Sequence, residues 1–120
     1  MKILVIEPEK NPVVKEIDGE LESMQKVVGG SIEAVYPFDD PVALVVNEEG
    51  KLMDLPWNRL IINNDRVADV LVGTCFICGI GEEDFCSLTD ELVQKYQKVF
   101  GLDGNKLMFT GHGLIPCVEL

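Results

Sequence analysis

The chain has 120 residues, 47% hydrophobic and 26% charged, and its 10 basic against 21 acidic residues leave a net charge of −11. Such a length and apolar content support one domain around one core and exclude a disordered chain. No run of 18 apolar residues exists to span a membrane, and Glu7, Pro8 and Glu9 stand where a secretory signal needs an apolar stretch, so a cytoplasmic location is expected.

In chain order, Ile3–Ile6 reads as a first strand ended by Pro8, and Val13–Ile17 as a second after the Asn11-Pro12 turn. A short helix follows from Glu20 to Val28, with Leu21, Met24 and Val28 on one face and Gly29-Gly30 as its stop. Ser31–Phe38 alternates as a half-buried strand, and Val42–Val46 is an apolar strand covered on both faces. Asn47-Glu48-Glu49-Gly50 suits a hairpin loop, which predicts Lys51–Leu55 as the returning partner. Pro56-Trp57-Asn58-Arg59 then interrupts the pattern as a loop before a short apolar piece, Leu60–Ile62, and a turn at Asn63-Asn64-Asp65.

Val67–Ile80 is the longest strand candidate, with Gly73 marking a bulge or a close backbone approach. Ser87-Leu88-Thr89-Asp90 opens a second helix reaching Phe100, with Leu88, Leu92, Tyr96, Val99 and Phe100 on one face and Gly101 after its end. In the remaining tail, Leu107–Phe109 can add an edge strand. The sum is an α+β single domain: a five- to six-stranded, mainly antiparallel sheet with two helices. Residues 1–101 form its compact part and 102–120 a C-terminal tail or added edge strand.

Nine of the eleven net negative charges lie in residues 31–90. Phosphate-backbone binding needs clustered Lys and Arg, so direct nucleic-acid binding is disfavoured. An acidic surface serves solubility or meets a basic partner. The four cysteines are Cys75, Cys78, Cys86 and Cys117. Cys75 and Cys78 form a C-x-x-C within an apolar strand, where residues three apart face opposite sides; that geometry defeats both chelation and disulfide closure. The cysteines therefore read as buried structural thiols in a reducing compartment. Asp39-Asp40 and Glu82-Glu83-Asp84 lack the ordered spacing of a calcium loop and read as solvated turns. His112, the only histidine, lies between two glycines and reads as a mobile surface residue; a Cys–His pair with Cys117, Cys86 or Cys75 has no motif to support it. No catalytic residue, metal set or cofactor is assigned.

Leu55-Pro56-Trp57-Asn58-Arg59 combines a stacking face, an amide and a guanidinium fork. Arg59, one of two arginines, is expected to clamp a carboxylate and hold the loop, or else to meet a ligand or partner. Tyr36, Trp57, Asn58 and Arg59 are the binding candidates, with Tyr36 as a second aromatic wall.

Asn47-Glu48-Glu49-Gly50-Lys51, followed by Leu55-Pro56 and Asn58-Arg59, with Gly73, Thr74, Ile77 and Gly79 behind, resembles the family called domain of unknown function 3846. The resemblance runs from about Lys2 to Phe100 and carries no catalytic residues. It implies a setting in phages, plasmids and conjugative elements. The leading expectation is an uncharacterised, non-enzymatic accessory protein of a mobile element that binds a host protein through its acidic surface, in a counter-defence role. One alternative is a small-ligand or nucleotide-signal binder using the Trp57-Asn58-Arg59 loop. Another is a cysteine- or metal-dependent enzyme. A monomer or a homodimer is expected, the latter through sheet edges at Val42–Val46 or Leu107–Phe109.

Overall fold

Apolar runs bounded by glycine, proline and acidic turns fold into ten strands and two helices: β1 (Lys2–Ile6), β2 (Val13–Glu16), α1 (Leu21–Val28), β3 (Ile32–Val35), β4 (Val42–Asn47), β5 (Trp57–Asn63), β6 (Arg66–Val72), β7 (Cys75–Ile80), β8 (Phe85–Cys86), α2 (Asp90–Val99), β9 (Leu107–Thr110) and β10 (Gly113–Glu119). The structure is a computed structural model describing all residues, Met1–Leu120. The architecture is α+β, as the sequence predicts, but the strands divide into two sheets.

The first sheet runs β2-β1-β7-β4-β3, with β8 added on β7, and every pairing in it is antiparallel. Its three central strands are apolar at nearly every position because both faces are covered. Ile3, Val5, Ala43, Val45, Phe76 and Cys78 pack under Met24 and Val28 of α1. Their alternates Leu4, Ile6, Val42, Leu44, Cys75 and Ile77 pack against α2, Phe100 and the second sheet. Cys75 and Cys78 thus lie on opposite faces, as their spacing requires. The second sheet runs β6-β5-β10-β9, with β10 parallel to β5 and the other pairs antiparallel. Its inner side contributes Ile61, Leu71 and Val118 to the shared core, and its other side holds a small cluster of Leu60, Ile62, Ile115 and Cys117.

Both helices end and begin where local chemistry dictates. Gly29 stops α1 in the left-handed region, at φ 79°. Thr89 caps α2 by accepting from the Leu92 amide at 3.2 Å.

Four expectations are corrected. Residues 51–54 form turns and Leu55 is irregular, so this segment is no partner for β4, whose neighbours are β7 and β3. Val42–Val46 is therefore interior to the sheet and offers no dimer edge. The long apolar run after Arg66 is two strands in different sheets, because Gly73 (φ 67°) turns the chain there and packs so closely on Leu55 that a Cβ would come within 2.7 Å of it. The tail is built into the fold: β9 is an edge, but β10 is an interior strand that buries Ile115, Cys117 and Val118. The second sheet is incomplete without residues 102–120.

Candidate functional site

Trp57, Asn58 and Arg59 begin β5 and are strand residues, not a loop. The pairing with β6 slips between Trp57 and Arg59, a bulge that lets consecutive residues face the same way. Asn58 and Arg59 both turn inward, and Asn58 Oδ1 accepts from Arg59 Nη1 at 2.7 Å.

Arg59 is fully buried and pairs with no carboxylate. Its Nε and Nη2 donate to the Phe100 carbonyl at 3.1 and 2.7 Å, Nη2 also to the Lys10 carbonyl at 2.7 Å, and Nη1 to the Asn58 and Glu7 carbonyls at 3.1 and 3.5 Å. This corrects the expected carboxylate clamp. The physical reason is the end of α2: its last carbonyls have no intrahelical donor and carry the negative end of the helix dipole. Burial pushes the Arg59 guanidinium below its usual value, opposed by the nearby Cys75. Asn58 Nδ2 donates to the Ile6 and Gly73 carbonyls at 2.9 and 2.8 Å. The two side chains thus rivet the second sheet to the end of β1, the loop after it and the end of α2. Their side-chain donors are occupied by the protein itself and both residues are buried, although Asn58 forms part of the wall of the cleft beside Trp57.

Trp57 remains half-buried, with its ring stacked on His112 at 3.9 Å between centroids and 14° between planes. His112 is therefore held on the indole instead of roaming between its glycines. The pair lines a cleft of about 440 Å³ with Pro8, Glu9, Pro56 and Pro116. Tyr36 is 60% exposed at the end of β3 and lines neither cavity that Trp57 lines, so the structure does not bring the two aromatics together.

A feature unread in the sequence lies at the free edge of the second sheet. Lys51 Nζ donates to Asp69 Oδ1 at 2.7 Å, and the same oxygen accepts from the Val70 amide at 2.8 Å. Hollows of about 110 and 480 Å³ share Lys51, Asp69, Val70 and Val72 in their walls. Lys51 and Asp69 are 18 residues apart, and no local pattern announces their meeting.

Three thiols are buried and Cys86 is exposed, which corrects the expectation that all four are buried. Burial pushes Cys75 and Cys78 up to about 12, far from a reactive thiolate. Asp40, expected in a solvated turn, accepts from Lys95 Nζ and from the Tyr96 hydroxyl at 2.5 and 2.7 Å. These bonds hold its carboxyl below the usual range. No three His, Cys, Asp or Glu side chains converge to hold a metal ion, and no helix is long and apolar enough to cross a membrane.

These features define a two-sheet α+β protein whose conspicuous polar pair is a structural rivet and whose accessible features gather on the second sheet. Residues 1–101 match the family described as Domain of unknown function (DUF3846), and the chain belongs to that family. No curated protein and no solved structure matches it.

Proposed function

We propose that this protein is a non-enzymatic accessory factor that works by binding a basic protein through its acidic surface. The mobile-element setting implied by the family resemblance makes a host defence component the fitting partner. The observation that supports the reading is the state of the carboxylates. Six of the 21 acidic residues take part in ion pairs, and the other fifteen have no cationic partner. Unpaired surface carboxylates raise a field that draws a basic partner and sets the rate of encounter.

The test is capture of a basic protein from host extract by the wild type and by two charge-reversed variants, one at Glu82, Glu83 and Asp84, the other at Glu33, Glu48 and Asp54. Capture is expected to fall in about 0.5 M salt, where screening shortens the reach of surface charge, and to be lost in at least one variant. Capture indifferent to salt and to both reversals would defeat the proposal.

A second reading, a small-ligand binder, draws on the cleft beside Trp57 and His112. Asn58 and Arg59 drop out of it because their donors are spent internally. A planar ligand there would change the emission of the single tryptophan, and the change should vanish in His112→Ala.

A further inference from the structure

We propose that β6 takes an extended, basic segment of the partner as a fifth strand of the second sheet, with the segment's apolar side chains alternating between two hollows. This rests on the acidic-surface reading above and names its site. At seven residues β6 is the longest edge strand, against four each for β2, β3 and β9. An edge strand offers backbone donors and acceptors along one side, and an added strand sends successive side chains to opposite faces. The structure supplies a receptacle for each set. One hollow opens toward β3 and β4 and is lined by Val35, Val46, Leu52 and Leu71. The other opens beside Leu55, Trp57 and Val67. Backbone bonds along an edge with flanking side-chain pockets is the arrangement by which proteins recognise extended peptides.

Charge complementarity names the occupant. Glu33 and Glu48 line the first hollow and Asp54 the second, and none has a cationic partner. Lysine or arginine beside the apolar residues of the segment would answer them. Asp69 is the latch: its carboxylate occupies the Val70 amide and is held by Lys51 across the strand. Both side chains are well exposed, 65% for Lys51 and 45% for Asp69, so opening the pair costs little. A partner carbonyl can then take the Val70 amide, leaving Asp69 free for a partner cation.

The probe is a capped synthetic peptide in which pairs of adjacent valines, one for each hollow, are separated by lysine and threonine, titrated into the isotope-labelled protein. Two further peptides keep its sequence and charge but carry N-methyl groups, one on the odd and one on the even residues. Only one set of amides in an added strand faces the edge. One methylated peptide is therefore expected to bind at least about tenfold more weakly than the other, with amide shifts over Arg66–Val72. Equal, salt-sensitive binding of both would overturn strand addition while leaving the acidic-surface reading intact. Shifts confined to Leu107–Thr110, or no binding, would also overturn it. A dimer that forms through β6 and excludes the peptide would name a second copy as the occupant instead.

Discussion

The two sheets differ in what covers them. In the first, β1, β4 and β7 are buried on both faces, one under α1 and the other under α2 and the second sheet. In the second, one face joins that shared core while the other has only its small cluster, with Trp57, Val70 and Met108 packed at its margin. This sheet also exposes apolar side chains: Phe109 is 83% and Leu114 59% exposed, opposite each other in the β9–β10 pair and, by strand alternation, on the face away from Met108 and Ile115. The first sheet is chiefly a scaffold, whose exposed large apolar residues are Val13 and Val14 on β2 and Ile80 at the end of β7. The second carries the long edge, the hollows and the aromatic cleft. What keeps so lightly covered a sheet in place is the Asn58–Arg59 rivet.

That comparison breaks most directly at the rivet. Arg59→Met keeps much of the volume but removes every donor, leaving the Phe100 and Lys10 carbonyls without a partner. Each such group costs about 1–3 kcal/mol, so urea unfolding should show a loss of about 3–5 kcal/mol. Hydrogen exchange should rise first in β5 and β10, before β1 and β7. Asn58→Ala frees the Ile6 and Gly73 carbonyls and should cost about 2 kcal/mol by the same measurement. Losses under about 1 kcal/mol in both variants would mean that apolar packing alone holds the sheets together.

The thiols sharpen the comparison without perturbing it. Cys75 and Cys78 sit in the doubly covered β7, and Cys117 on the outer side of the second sheet. Alkylation in native buffer should modify Cys86 at once. Cys117 should follow at least about tenfold faster than Cys75 and Cys78, equivalent to about 1.4 kcal/mol less opening free energy. Mass spectrometry of the timed digest reads the order, and a Cys117 as slow as Cys75 would show the second sheet to be no looser than the first.

Much of the first sheet was legible in the sequence, because strands buried on both faces are unbroken apolar runs and helix ends carry their own signals. The alternate facing of Cys75 and Cys78 needed only the strand period. The second sheet was not legible, and its particular residues say why. The run from Val67 onward is apolar on both sides of Gly73, so nothing local tells one strand from two. Pro116 argues against a strand, yet it sits in β10, where its lack of an amide is tolerated opposite Leu107. The parallel pairing of β10 with β5 joins residues far apart in the chain, which no window of sequence contains. At the site, the sequence picked out Asn58 and Arg59 by their hydrogen-bonding capacity, but capacity does not say whether the partners are a ligand or the chain's own carbonyls. Only the position of the end of α2 decides that.

The smallest expected effect tests how α2 is tied to the first sheet. Asp40 lies between β3 and β4 and receives Lys95 and Tyr96 of α2, while Phe38 meets the Tyr96 ring edge-on at 4.9 Å. Its carboxyl is depressed chiefly by the Lys95 bond and next by Tyr96. A carboxyl depressed on folding adds stability above its unfolded value, here 3.8, and that stability is lost as the pH falls through the lower folded value. Asp40→Asn cannot titrate. The melting temperature of the wild type should therefore exceed that of the variant near neutral pH, and the gap should close as the pH drops below 3.8. Lys95→Ala should show the larger share of the same closing gap, since Lys95 is the main cause of the shift. A gap that persists unchanged into strong acid would place the contribution in the packing of Phe38 on Tyr96, and the tie between α2 and the first sheet would then be apolar, like the rest of that sheet.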